Sequence, residues 1–362
     1  MIERIINERV KRIKPYVAGA TKEEVAKRHG LDVDKVVKLA SNENPFGPSP
    51  KAVETIKRFA SKVSLYPEDY PQDLIRAISS YIKLPESMIL PGGNGADEVM
   101  ELVVKLVVSE GDEAIIHPPT FPYYELLVNL HGGKAVKVPL LRDHSFPIDD
   151  IVGSITKKTK LIVICSPNNP TGGAVSEPGL RRILKTGVLV MLDEAYVEFA
   201  EHSFTGLVKE YENLVVLRTF SKAFALAGLR VGYGVSQEAF VNEALKIKPP
   251  HNVNLLAQKA AVAALEDLNY MRKNVAEIKK LRAEAFQALS KLPGLTVHPS
   301  QANFHLITLF DRDAEAVVLA LEERGIIVRG CKAFGLENSI RVTVGKREEN
   351  QLFLKALKEV LG

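Results

Sequence analysis

Lys222 stands in Thr219-Phe220-Ser221-Lys222, with Arg230 downstream and Asp193-Glu194-Ala195-Tyr196 upstream. A lysine amine can hold an aldehyde as a Schiff base, and a carboxylate can keep a pyridine nitrogen protonated so that the ring accepts electrons. A hydroxyl beside the lysine and a nearby guanidinium can hold a phosphate. Lys222, Asp193, Ser221 and Arg230 supply those four groups, so the constellation reads as a pyridoxal 5'-phosphate site. Most lysines are solvated surface residues. Lys222 instead follows the apolar run 214–217 and precedes the small, apolar Ala223-Phe224-Ala225-Leu226-Ala227-Gly228, a setting that a surface lysine does not explain.

Gly92-Gly93-Asn94-Gly95-Ala96-Asp97-Glu98 precedes an apolar helical run that begins near Val99. Glycines let the backbone approach an anion closely, and a helix N-terminus presents N–H groups and a partial positive charge to it. Alone, such a segment is an ordinary turn. Beside Ser221 and Arg230 it reads as one wall of a phosphate cup.

The elements that must position these groups follow from the apolar pattern. Runs at 114–116, 161–165, 188–192, 214–217 and 230–235 are β-rich and separated by helical patterns, which predicts a mostly parallel sheet covered on both faces. Ligands of such sheets bind at the carboxyl ends of the strands, and Asn169, Asp193 and Lys222 each follow a strand. Beyond residue 250 the pattern changes to long helical stretches over 255–292. Strands at 303–310, 326–328 and 339–344 and helices at 314–324 and 346–361 then follow, which predicts a second, smaller α+β unit.

Ser41-Asn42-Glu43-Asn44-Pro45-Phe46-Gly47, Tyr66-Pro67, Gly95-Ala96-Asp97-Glu98, Pro118-Pro119-Thr120-Phe121, Ser166-Pro167-Asn168-Asn169-Pro170-Thr171-Gly172, Asp193-Glu194-Ala195-Tyr196, 221–230 and Arg341-Val342-Thr343-Val344-Gly345 occur in that order along nearly the whole chain. On these segments the sequence resembles the fold-type I, class II aminotransferases, and within them it is most similar to the histidinol-phosphate aminotransferase family. The resemblance implies an α/β fold with a mostly parallel seven-stranded sheet in a large cofactor-binding domain, residues 40–250. A small α+β domain would combine residues 1–39 with 251–362. It also implies Lys222 as anchor and base, Asp193 opposite the pyridine nitrogen, and Asn169 and Tyr196 as partners of the phenolic oxygen.

By the same resemblance, Gly95, Ala96, Asp97, Thr219, Ser221 and Arg230 hold the cofactor, with Tyr66 reaching its phosphate from a neighbouring subunit of a homodimer. Phe121 takes the place of a ring-stacking aromatic that is often tyrosine, keeping the π face without the hydroxyl. Arg329 and Arg341 match arginines that bind the substrate's anionic end, and Tyr16 matches a further substrate-pocket residue. The implied reaction moves an amino group between L-histidinol phosphate and 2-oxoglutarate, giving imidazole acetol phosphate and glutamate in histidine biosynthesis. An aromatic amino acid aminotransferase, a threonine-phosphate decarboxylase and a binding protein on the same scaffold are the competing readings.

The chain has 362 residues, 46% hydrophobic and 25% charged, which suits a globular protein with two cores and excludes a disordered one. A net charge of +4, with basic residues dispersed among acidic ones, leaves no basic stripe for nucleic acid. Cys165 and Cys331 show neither metal-ligand spacing nor a disulfide framework, which points to a reducing cytoplasm and no metal. Ile2, Ile5, Ile6, Val10 and Ile13 are expected on one helical face. With acidic residues between them, they form neither a signal nor a transit peptide. No apolar run approaches membrane-spanning length, so no membrane partner is expected. The Lys- and Glu-rich composition without Trp suggests a thermophilic source.

Overall fold

The computed structural model describes residues 2–11, 13 and 19–362. The strands in chain order are β1 Val37–Lys38, β2 Ile89–Gly95, β3 Glu113–Ile116, β4 Lys134–Lys137, β5 Thr159–Cys165, β6 Leu189–Asp193 and β7 Leu214–Thr219. They continue with β8 Gly232–Val235, β9 Leu295–Val297, β10 Phe304–Leu309, β11 Ile326–Ile327, β12 Arg329–Gly330 and β13 Ser339–Thr343. Seven of them form one sheet in the order β2-β8-β7-β6-β5-β3-β4. β8 runs antiparallel to both of its neighbours, and the remaining pairings are parallel.

The apolar runs are continuous because both faces of this sheet are covered. Side chains alternate across a strand. Ile162, Ile164, Val190, Leu192, Leu214 and Val216 therefore enter one core, while Leu161, Val163, Met191, Val215 and Leu217 enter another on the opposite face. The first is closed by residues of the helices Gln72–Ile82, Glu177–Leu184 and Leu255–Leu265, the second by Ala96–Val107, Tyr123–Leu130 and Glu238–Ile247. Alternation continues past the strand ends and decides which polar side chain faces which way.

A four-stranded antiparallel sheet, β12-β13-β10-β9, and the parallel pair β1-β11 build the smaller unit. Its core gathers Leu39, Ile307, Val317, Leu321, Ile340, Phe353 and Leu357. The expected helical stretch over 255–292 is two helices, Leu255–Leu265 and Leu268–Leu289. Ala257, Ala260, Ala261 and Ala264 of the first belong to the core of the large sheet, where their small side chains allow close approach to the helices Pro50–Phe59 and Gln72–Ile82.

Three local expectations are corrected. Among the described residues, the expected single helical face from Ile2 to Ile13 is broken into a short 3-10 turn, Ile2–Arg4, and a helical turn, Glu8–Lys11, with Ile2 and Ile5 exposed. The glycine-rich Pro91-Gly92-Gly93-Asn94-Gly95 lies within β2, and the following helix starts at Ala96 instead of Val99. Pairing of Gly92 with Gly232 explains it, because a Cβ on Gly232 would lie 2.6 Å from the Ala96 nitrogen. Arg230 lies outside β8, in a left-handed conformation with φ 55° that ends the turn Ala227–Leu229.

Candidate active site

A cleft of about 280 Å³ opens at the carboxyl ends of β5, β6 and β7 and is closed from the other side by residues of the small sheet. Lys222, Asp193, Asn169, Tyr196, Phe121, Thr219, Ser221, Arg230, Arg329 and Arg341 all line it, together with Gly95, Ala96 and Asp97. Tyr66 does not. It is 86% exposed and stacks on His251 at 5.0 Å beside a different surface hollow. Tyr16 lies outside the described residues.

Lys222 follows β7 in a loop tied down at both ends: the Phe220 N–H donates to Val231 O, and Asn44 Nδ2 donates to Ala223 O at 2.9 Å. The Lys222 amine donates to the Ser41 carbonyl at 3.1 Å. The Ser41-to-Gly47 segment thus clasps the lysine loop. Removal from water, and then the Arg341 charge, lowers the Lys222 pKa to about 8. A substantial neutral fraction near pH 8 is what a proton-transferring amine needs.

Asp193 ends β6 and is buried. Its Oδ1 accepts the Ala195 N–H at 2.9 Å and its Oδ2 accepts the Tyr124 hydroxyl at 2.6 Å. Burial pushes its pKa up to about 6 against those two donors. At neutral pH it is ionised without a cationic side chain among its hydrogen-bond partners.

At the other end, Thr219 Oγ1 donates to Ser221 Oγ at 3.0 Å and accepts the Ser221 N–H at 3.1 Å. Arg230 reaches across to Asp97 Oδ2 at 3.0 Å and to Asn94 O at 3.1 Å. Gly95 precedes the helix with φ 69°, and a Cβ built there would lie 3.2 Å from the Arg230 guanidinium. Two hydroxyls, a guanidinium and the first N–H groups of a twelve-residue helix therefore converge on a space that only glycine leaves open.

Between these ends, the Tyr196 hydroxyl accepts Asn42 Nδ2 at 3.0 Å, and Asn169 Oδ1 accepts Arg341 Nη1 at 2.5 Å. Asn168 holds the loop that carries Asn169: it accepts the Thr120 hydroxyl at 2.7 Å and donates to Pro119 O and Thr171 Oγ1 at 2.9 Å. Arg341 sits in the middle of β13, and Arg329 starts β12. The two are direct cross-strand partners, which places two guanidinium-bearing residues side by side at the cleft.

The donor set fits pyridoxal 5'-phosphate: an anion cup, a buried carboxylate, an aromatic wall at Phe121 and an amine lie in one cleft. Sequence reasoning had not assigned roles to Tyr124, Asn42 or Ser41. For Tyr124 a signal existed, since Tyr124, Leu127 and Val128 recur at helical spacing and all three are buried. For Asn42 and Ser41 there was none, because their partners Tyr196 and Lys222 lie 154 and 181 residues along the chain and Asn42 acts from a left-handed turn, φ 54°.

The family model for aminotransferase class I and II matches residues 34–357. The chain is 39% identical to the histidinol-phosphate aminotransferase of Methanocaldococcus jannaschii over 100% of its own length and 99% of that protein. It is 41% identical to that of Methanosarcina barkeri, covering 98% and 96%. Its fold superposes on the Sinorhizobium meliloti histidinol-phosphate aminotransferase in complex with pyridoxal-5'-phosphate with a TM-score of 0.89 at 26% identity, covering 99% and 97%.

Proposed function

The chain belongs to the aminotransferase class I and II family, among the histidinol-phosphate aminotransferases, and from that premise we propose that it moves an amino group between L-histidinol phosphate and 2-oxoglutarate. It is a pyridoxal phosphate-dependent aminotransferase. The observation that carries the substrate reading is full-length similarity to histidinol-phosphate aminotransferases in a chain whose Arg329 and Arg341 pair beside Lys222.

When bound, pyridoxal 5'-phosphate supplies an aldehyde that takes up the amino group and a ring that accepts the electron pair left on the substrate carbon. Lys222 Nζ is the covalent anchor for that aldehyde. Once released, it takes the proton from the substrate's amine-bearing carbon, and a pKa of about 8 keeps enough of it neutral to do so. Asp193 would accept a hydrogen bond from the N–H of the protonated pyridine ring. Ser221, Thr219, Arg230 and the N–H groups at Gly95, Ala96 and Asp97 hold the cofactor phosphate, while the Asp97 carboxylate orients Arg230. Tyr196 and Asn169 serve the phenolic oxygen, and Phe121 walls the ring. Arg341, already aligned by Asn169 and by its 2.6 Å bond to Ala40 O, takes the substrate's phosphate with Arg329.

The proposed oligomer is a homodimer in which exposed Tyr66 enters the neighbouring site. The proposed domain division is 40–250 against 1–39 with 251–362, bridged by the helix Leu268–Leu289, whose Ile278 and Leu281 enter the core of the large sheet and whose Leu289 enters that of the smaller unit. The proposed location is the cytoplasm, where the buried, unpaired Cys165 and Cys331 stay reduced. Among the described residues, no helix is long and apolar enough to cross a membrane.

The test is a half-reaction. Purified protein loaded with pyridoxal phosphate receives L-histidinol phosphate, L-phenylalanine or L-threonine phosphate, and the cofactor spectrum is followed from aldehyde to amine form. Fast conversion with histidinol phosphate alone is expected. Faster conversion with phenylalanine, or carbon dioxide release from threonine phosphate, would replace the substrate assignment.

A further inference from the structure

Asp193 is gripped on both oxygens by donors from different elements. Oδ1 takes the Ala195 N–H of its own strand's exit loop, and Oδ2 takes the phenol of Tyr124 from the first turn of the helix Tyr123–Leu130. Together they stop rotation of the carboxylate about its last bond. Tyr124 has little freedom of its own. It is 1% exposed, belongs to the core under the sheet, and meets the Phe121 ring edge-on at 5.7 Å and 90°. Cys165, the register partner of Asp193 on β5, packs in the same core.

We propose that Tyr124 is a positioning residue for the reaction: its hydroxyl, donated to Asp193 Oδ2, fixes the rotation of the carboxylate and keeps it ionised toward the cleft, where the pyridine nitrogen binds. This rests on the reading of Asp193 given above. Burial raises the Tyr124 phenol well above its ordinary range, so it stays a proton donor throughout the working pH range. The Cys165 thiol is likewise held protonated by burial and adds no negative charge beside the pair. The other acids acting on Asp193 are Asp97, across the cleft and paired with Arg230, and Glu194, on the opposite face and paired with Arg218. Neither donates to it. Tyr124 is the one side-chain donor to Asp193 among the described residues.

Tyr124→Phe removes the hydroxyl and keeps the ring that Phe121 packs on. Each pKa unit of lost ionisation corresponds to about a tenfold change in equilibrium. Expected for the holoenzyme are an acidic limb of the kcat/KM profile moved up by about one unit and a pyridoxal phosphate dissociation constant raised about tenfold. KM for histidinol phosphate should change less than kcat. In an Asp193→Asn background, Tyr124→Phe should have no further effect on cofactor dissociation, because there is no charge left to hold. Incorporating 3,5-difluorotyrosine at 124, a stronger donor that keeps the ring, should move the limb the opposite way, which decides the matter even if Tyr124→Phe folds poorly. An unmoved limb and unchanged dissociation constant in Tyr124→Phe, with both lost in Asp193→Asn, would overturn the role of Tyr124 alone. If Asp193→Asn also leaves both unchanged, the reading of Asp193 itself falls.

Discussion

Asp193 and Glu194 are consecutive, both buried and both acidic, yet they sit in opposite circumstances. Strand alternation sends Glu194 to the far face of the sheet. There Arg218 donates to its Oε2 at 3.1 and 2.9 Å, Thr205 at 2.8 Å and Ser203 at 3.0 Å, while the Phe204 N–H donates to Oε1 at 2.6 Å. Its charge is fully matched within the protein. Asp193, on the cleft face, has one backbone N–H and one phenol. A rise of its pKa from 3.8 to about 6 costs the folded apoprotein roughly 3 kcal/mol at neutral pH. One carboxylate is matched within the protein; on the proposed reading, its neighbour is matched by the pyridine nitrogen. Lys222 groups with Asp193, its pKa lowered from 10.5 to about 8. On the proposed reading, the difference separates a residue kept for folding from residues kept for chemistry.

The widest gap between the two classes should appear at Lys222. Lys222→Ala removes both anchor and base, and turnover should fall by on the order of 10⁴-fold or more, measured by the half-reaction. The apoprotein should nevertheless fold. Because unfolded Lys222 binds its proton more tightly, the native state carries a deficit below about pH 8 that fades as pH rises toward 10.5. Thermal melts of apo Lys222→Ala should match or exceed wild type at pH 7 and lose that advantage above pH 10. A mutant that still transfers amino groups at near-normal rate would end the central claim.

Glu194→Ala tests the matched carboxylate. It leaves the Arg218 guanidinium buried, with Glu198 at 3.9 Å as its nearest remaining acid. Breaking such a pair by removing one partner costs about 3–5 kcal/mol. Chemical denaturation should show that loss, while the acidic limb of activity in the surviving folded enzyme moves down only slightly, because Glu194 is the least of the influences that raise the Asp193 pKa. A shifted limb without lost stability would erase the contrast between the two faces.

The contrast was half visible in the sequence. Apolar runs ending at Asp193 and before Lys222 placed both at strand termini, because strands covered on both faces are apolar throughout and their polar exits stand out. Which way consecutive Asp193 and Glu194 point follows from period-2 alternation, but only once the last strand residue is known. The partners were hidden. Arg218 reads as an interruption in an apolar strand, and nothing local says that it meets Glu194 and Glu198. The glycine-rich stretch read as a loop because Gly and Pro disfavour strands, whereas pairing with Gly232 keeps it in β2. Arg230 looked like the start of β8 because its left-handed φ has no sequence signature outside glycine and asparagine.

Asp193→Asn should sharpen the comparison by separating stability from function within one residue. The native state binds the Asp193 proton more tightly than the unfolded chain between pH 3.8 and about 6, so this residue's contribution to stability falls as pH rises through that window. The apoprotein of Asp193→Asn should gain about 1–3 kcal/mol at pH 7 to 8 and nothing at pH 4. Its loaded form should lose on the order of 10²-fold in kcat. Equal stability of wild-type and mutant apoproteins across that range would show that Asp193 is as well matched as Glu194.

The smallest effect belongs to Phe121, which touches the Asp193 carboxylate only through Tyr124. Its ring lines the cleft, and its partner ring meets it at a right angle, leaving the aromatic face for the cofactor. Ring pairs of this kind contribute about 0.5–1.5 kcal/mol beyond buried area. Phe121→Ala should therefore weaken pyridoxal phosphate binding roughly two- to tenfold, and Phe121→Tyr should bind it within about twofold of wild type. Both dissociation constants come from fluorescence titration of the apoprotein. Phe121 also braces Tyr124, so Phe121→Ala should lift the acidic limb slightly, whereas Phe121→Tyr should leave it in place. A limb that moves with the added hydroxyl, and not with the lost ring, would mean that the polar surroundings of Asp193 extend to position 121, and the cleft face would then be better matched than its two donors indicate.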